Sequence, residues 1–168
     1  MPQPFAISFR PLVEADLDLL LGWFRQPHVA EWWPTPSSTT AVSEKYLPKI
    51  RGEEDSRMLA ILADGCPIGM IQHWPPDPAE PCGAFDCGID LLIGEPRMIG
   101  RGIGSRVIDA FVVGEVFGRL GLSSCVADPH ENNARSIRAF EKAGFQRRGD
   151  FKEDGQKYLI LARLQIAD

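Results

Sequence analysis

The chain has 168 residues, 44% of them hydrophobic, and a formal net charge of −5. That length supports a single domain spanning 1–168 with its own core and no need of metal or disulfide staples. The acidic balance argues against a nucleic-acid partner, and no run of about eighteen apolar residues offers a membrane span. A cytoplasmic protein is expected, as a monomer or homodimer. The four cysteines, Cys66, Cys82, Cys87 and Cys125, fit neither a C-x-x-C pair nor zinc-ribbon spacing. They read as reduced thiols, and no metal site is expected.

In chain order, FAISFRP alternates Phe5, Ile7 and Phe9 as a strand closed by Pro11. Leu17, Leu20, Leu21 and Phe24 recur at helical spacing, with Asp16 and Asp18 near the positive helix start. QPHVAEWWPTPSS carries three prolines and two tryptophans and reads as a structured loop. A second helix is predicted from Thr40 to about Arg51. RMLAILA, the turn Asp64-Gly65 and PIGMIQHW form a hairpin signal. PPDPAEPCG then reads as an exposed loop beside a working face.

Phe85 to Ile93 alternates as a strand, which places Asp86 and Asp90 on one face. After a glycine loop, SRVIDAFVVGEVFGRL is an apolar helix and LSSCVAD a buried strand. NNARSIRAFEKAG is a helix ended by Gly144, and FQRRGDF and QKYLILARL pair around Glu153-Asp154-Gly155. The order β-α-α-β-β-β-α-β-α-β-β is neither a βαβ alternation nor all-β; it predicts α+β around a mixed sheet.

In IGRGIGS, Gly100, Gly102 and Gly104 follow a strand and open a helix, where backbone N–H groups and the helix dipole converge on an anion. No Lys-Ser or Lys-Thr follows, which excludes a Walker loop, and the G-x-G-x-G spacing disfavours a dinucleotide fold. A pyrophosphate held without magnesium is left, and coenzyme A carries one. The bland alternative is that the glycines only permit a tight turn.

IGRGIGSRV, with ENNARSIRAFEKAGF about thirty residues later, resembles the GCN5-related N-acetyltransferases (GNAT). The resemblance implies a mixed, mainly antiparallel sheet of about seven strands flanked by about four helices, with acetyl-CoA as cofactor. It places Leu92, Ile93, Ile99, Gly100, Arg101, Gly102, Ile103, Gly104, Ser105, Asn133, Ala134 and Phe140 against that cofactor. The family's Gln/Arg position falls on Ile99, which leaves Arg97 or Arg101 to compensate. Within the superfamily, EWW at 31–33, EKYLPKI at 44–50, GIDLL at 88–92, ADPHENNARSIRAFEKAGF at 127–145 and EDGQKYL at 153–159 resemble the aminoglycoside 6'-N-acetyltransferases. A group acylating the N-hydroxylated arm of siderophores has a similar GI-x-LLIGEP segment but carries His where this chain has Asp90.

Acetyl transfer to an alkyl amine, protonated at pH 7, needs a base. Asp90 is placed for that role, and the resemblance implies the same. A small cationic acceptor calls for carboxylates and flat aromatic surfaces; Trp32, Asp86 and Asp90 are candidates, the resemblance implies Asp128 and Asp154 as acidic contacts of the acceptor, and Glu131 and Glu153 add to the field. The tryptophans either stack on sugar rings or cover the core, and His73 and Trp74 take a structural reading. The family's usual acid, a tyrosine, is replaced by Phe140; Tyr158 is the candidate donor. Cys125 lies in an apolar strand, so direct transfer in a ternary complex is expected rather than a cysteine nucleophile. The alternatives are a siderophore hydroxylamine, polyamine or protein amine as acceptor, or a coenzyme-A-binding module without turnover.

Overall fold

The computed structural model describes residues 4–167. Its elements run β1 (Ile7–Pro11), α1 (Leu17–Phe24), α2 (Pro27–Ala30), α3 (Thr39–Ile50), β2 (Arg57–Ala63), β3 (Cys66–Trp74), β4 (Cys87–Ile93), α4 (Ile103–Phe111), β5 (Ser124–Ala127), α5 (Ala134–Lys142), β6 (Gln146–Glu153) and β7 (Gln156–Leu164). The seven strands lie in the order β1-β2-β3-β4-β5-β7-β6. The β1–β2, β2–β3, β5–β7 and β6–β7 pairs are antiparallel and β4–β5 is parallel, so the sheet is mixed and mainly antiparallel.

The chain forms two compact units. One runs through His73 and takes in Leu91–Arg101; the other comprises Trp74–Asp90 and the chain from Gly102 onward. In the first unit, Leu20, Phe24, Val42, Tyr46, Ala60 and Met70 build a core in which Phe24 stacks on Tyr46 at 5.2 Å. Arg10 grips Asp16 through both carboxylate oxygens at 2.7 and 2.9 Å, and the Val13 N–H donates to the same group at 2.9 Å. This staple turns the chain from β1 into α1. Ser38 caps α3 by accepting from the Ala41 amide at 3.1 Å. The hairpin turn holds Asp64 and Gly65 at φ 48° and 79°, the paired positive angles of a type I′ connection.

In the second unit, Phe111, Val112, Val116, Cys125, Phe140, Phe145 and Leu161 are buried. Gly104 faces Ala139 with room for ordinary contact, so α4 and α5 approach closely. Beyond Phe111 the helix widens into a π-helical stretch, Val112–Arg119, and the Leu120 amide donates to Glu115 O.

Three sequence expectations shift. Pro27 stands at the first position of α2, inside the stretch read as loop; its fixed φ suits a helix start, which makes five helices rather than four among the described residues. β4 begins at Cys87, not Phe85, because Asp86 forms a corner. Its N–H donates to Ser124 Oγ at 2.8 Å, while its carboxylate accepts from the Ser123 amide and the Ser124 hydroxyl, each at 3.0 Å. The apolar helix starts at Ile103 and divides into α and π segments rather than running evenly from Ser105.

Candidate active site

Within the second unit, a cleft of about 160 Å³ is lined by Trp74, Pro76, Asp77, Glu80, Pro81, Cys82, Gly88, Val126, Ala127, Asp128, Phe151 and Glu153. Four of these residues are carboxylic acids and none is basic. Asp128 directly follows β5. Burial pushes its carboxyl up to about 6, and the negative charge of Glu153 acts in the same direction. Burial likewise raises the Cys82 thiol to about 11, with the Asp128 charge adding to it. Gly88 is required here: a Cβ would lie 2.6 Å from Trp74 Cε2, so the indole lies flat on the strand at this point. Asp90, half-buried, stands two residues along β4, on the face that Gly88 presents by alternation.

Asp86 does not share this face. Its carboxylate is committed to Ser123 and Ser124 at the start of β5, which gives it a structural task. Asp154 occupies the β6–β7 turn at φ 49°, and the residue of that turn that lines the cleft is Glu153. Trp74 and Phe151 supply its aromatic walls. Of these, Trp74 takes a structural reading from the sequence and Phe151 carries no sequence signal. The one local signal for Trp74 was a glycine inside strand β4, which marks close approach of a bulky neighbour.

Tyr158 stacks on Phe151 at 5.4 Å and meets the His130 ring edge-on at 5.5 Å. The chain after β5 runs beside β7: the Leu159 amide donates to Pro129 O at 2.9 Å and the Glu131 amide to Lys157 O at 3.0 Å. His130 Nδ1 accepts from the Asn132 amide at 3.1 Å, so the ring proton sits on Nε2 and donates to Gln156 Oε1 at 2.8 Å. This places Tyr158 beside the turn that leads into Asn133, the N-cap of α5, whose Oδ1 accepts from the Ser136 amide at 3.2 Å. Ala134 is the first residue of that helix.

At the glycine loop, Gly100 and Gly102 take φ 77° and 69°, and a Cβ at either would meet nothing within 4 Å. They serve backbone conformation, since a positive φ disfavours other residues. Gly102 is the N-cap of α4 and offers no side-chain cap, so the first helical amides point outward with the positive dipole end. Ser105 Oγ donates to Gly102 O at 3.1 Å and braces the turn. The Ile103 side chain is buried. Phe140 is also buried, packed edge-on against Phe145 at 5.0 Å, so its ring belongs to the core of this unit.

In the first unit, Trp33 packs on the core 6.0 Å from Phe24, whereas Trp32 stands at the surface with 37% of its area exposed. Leu92 is buried and Ile93 ends β4. Arg97 and Arg101 are exposed on either side of Ile99, whose backbone is extended. No helix among the described residues is long and apolar enough to cross a membrane.

An uncapped helix start behind two positive-φ glycines, an aspartate in the preceding strand and an Asn-capped helix after β5 are the parts of one known domain type. A family model described as an acetyltransferase (GNAT) domain matches residues 12–152. The chain belongs to the GNAT acetyltransferase family. This GNAT chain is 30% identical over 156 residues to the aminoglycoside N(6')-acetyltransferase type 1 of Klebsiella pneumoniae and to that of Serratia marcescens. The match covers 86% of this chain and 76% of each relative. Crystal structures of the aminoglycoside acetyltransferase AAC(6')-Ib, one with coenzyme A and one with coenzyme A and kanamycin, align with a TM-score of 0.84 at 28% identity over 95% of each chain. The GNAT chain is therefore an acetyl-CoA-dependent N-acetyltransferase.

Proposed function

We propose that the chain acetylates the 6'-amine of an aminoglycoside by direct transfer in a ternary complex. The observation that carries this reading is the cleft of the second unit, in which Asp77, Glu80, Asp128 and Glu153 surround an entrance walled by Trp74 and Phe151. Such a site attracts a hydroxyl-rich polycation, with aromatic faces for sugar rings and carboxylates for ammonium groups.

Acetyl-CoA supplies an acyl group already activated as a thioester. The outward amides of Gly102, Ile103 and Gly104, opened by positive φ at Gly100 and Gly102, suit its pyrophosphate. Asn133 and Ala134, at the start of α5, and the backbone of Leu92 and Ile93 are assigned to its pantetheine arm. Asp90 takes the proton from the acceptor ammonium, directly or through a water, and leaves the neutral amine as nucleophile. Asp128 holds a second ammonium group, assisted by Glu153. Trp32 and Asp154 are assigned to the outer contacts of the acceptor, and Asp86 is not. Tyr158 carries on its Oη the proton offered to the departing thiolate, since Phe140 has none to give. The hydrogen bond with the Cys87 thiol, and then burial, push the Cys125 thiol up, and burial with the Asp128 charge pushes the Cys82 thiol up to about 11. Neither supplies a thiolate nucleophile, which supports direct transfer.

The reading is tested by thiol release from acetyl-CoA against kanamycin, tobramycin and spermidine, with Asp90→Asn alongside. Turnover of the first two and a loss of about 10²–10⁴-fold in kcat for the variant are expected. Preference for spermidine, or full rate in Asp90→Asn at neutral pH, would move the assignment to another acceptor or another base.

A further inference from the structure

The peptide that leaves β4 is held from both sides within the first unit. The carbonyl of Ile93 is bonded to His28 Nε2 at 2.7 Å, and the Gly94 N–H of the same peptide donates to Ile68 O at 2.8 Å. The Glu95 amide reaches that Ile68 oxygen too, at 3.1 Å. Gly94 is pressed against Trp23, where a Cβ would fall 2.0 Å from Cγ, and the Trp23 indole N–H donates to Glu95 Oε1 at 3.2 Å. Gly69 in β3 lies just as close to the strand, since a Cβ there would fall 2.0 Å from Leu92 O. A carbonyl can only accept, so the His28 ring carries its proton on Nε2 and donates.

We infer that His28 is a positioning residue of the acetyltransferase, whose hydrogen bond to Ile93 O holds the end of β4 in the register needed to receive acetyl-CoA. The ladder joining β4 to β5 takes in Cys87 and Gly88, so the far end of the strand is held by its other neighbour, β3, and by restraints on the peptide that leaves it. His28 supplies one from a helical turn of four residues that is itself anchored by the buried Val29. The carbonyl it holds belongs to a residue whose backbone is assigned to the cofactor, and the inference rests on that assignment. Its energetic logic is orientation: a displacement of about 1 Å at a reacting group costs on the order of 10²-fold in rate, so a fixed peptide plane matters more than the single bond that fixes it.

The test compares His28→Leu, His28→Gln and His28→Asn in the full chain. Glutamine brings an N–H donor to about the reach of Nε2, and asparagine is too short. Acetyl-CoA affinity by titration calorimetry, amide exchange at Gly94 and Glu95, acceptor KM and Tm are measured for each. The expected result is acetyl-CoA binding weakened by roughly tenfold in the Leu and Asn variants, faster exchange at both amides and an acceptor KM within about twofold of wild type. His28→Gln returns affinity and exchange to near wild-type values. Wild-type acetyl-CoA affinity in His28→Leu or His28→Asn overturns the inference, as does a His28→Gln variant as weak as the other two. If wild type acetylates no aminoglycoside, the acceptor reading fails alone, because binding and exchange are read without an acceptor.

Discussion

Asp128 faces two demands that pull apart with pH. Its carboxyl is pushed up to about 6 by burial and by the charge of Glu153, so the folded protein holds this proton more tightly than the unfolded chain does. A raised carboxylate is least costly to the fold below the unfolded value near 4, and its cost grows as pH rises through about 6. The ionised form is also the one that binds an ammonium group. Asp128→Asn is therefore expected to raise Tm at pH 8, by an amount on the order of 2 kcal/mol in stability, with the gain fading below pH 5. The same variant is expected to raise acceptor KM at pH 8, while wild-type acceptor KM rises as pH falls from 7 to 5. Thermal scans and steady-state rates across pH check both signs; a variant destabilised at pH 8 would mean the carboxylate is compensated by a partner. Gly88 argues a second case at this scale. Gly88→Ala drives a methyl into the Trp74 ring, so the cleft wall must move. Acceptor KM should rise severalfold with acetyl-CoA affinity unchanged, read by calorimetry and initial rates.

At the scale of elements, the staple between β1 and α1 and the opening of α4 rest on different physics. Arg10 holds the Asp16 carboxyl below the usual carboxylate range, chiefly through its hydrogen bonds. A depressed carboxylate contributes stability above its unfolded pKa and loses it as pH falls through the folded one. Asp16→Asn is expected to cost about 1–3 kcal/mol at pH 7 and progressively less toward pH 3, as measured by denaturant unfolding. At α4 the restraint is backbone conformation: Gly102→Ala meets no neighbour but places a side chain at φ 69°, at a cost of about 1–2 kcal/mol. Most elements were legible because they announce themselves locally. Alternation in RMLAILA and QKYLILARL, the paired turn residues Asp64-Gly65 and Asp154-Gly155, and Gly144 closing α5 at φ 86° each act within a few residues. The misread places depend on distant partners. Phe85-Asp86 continues the β4 alternation in sequence, yet the bonds from Asp86 to Ser123 and Ser124, nearly forty residues on, bend it out of the strand. In the candidate site, the place of Asp90 in β4 and the positive-φ glycines before α4 could be read from order and spacing. Phe151 could not, because it lines the cleft through the pairing of β6 with β7 and no local pattern marks it.

For the molecule as a whole, the net charge of −5 and the four acids of the cleft give the two substrates different responses to salt. A polycationic acceptor is drawn toward an acidic protein over a range set by the Debye length, about 8 Å at physiological ionic strength and about 3 Å at 1 M. Raising salt screens that attraction, so kcat/KM for the acceptor should fall, and fall more steeply for a polycation such as tobramycin than for a monoamine. Acetyl-CoA is an anion, and in the proposed reading it meets a local donor set of backbone amides near the exposed Arg97 and Arg101. Screening weakens the attraction of those arginines and the repulsion of the remaining surface together, so its KM should change little. Initial rates from about 0.05 to 0.5 M potassium chloride, with each substrate varied in turn, separate the two slopes. Because a neutral pair Glu80→Gln and Glu153→Gln removes charge at the cleft, it should flatten the acceptor slope and leave the acetyl-CoA slope where it was. Equal slopes for tobramycin and a monoamine would mean that the acidic cleft does not recruit the acceptor, and the case for a polycationic substrate would then rest on aromatic contacts alone.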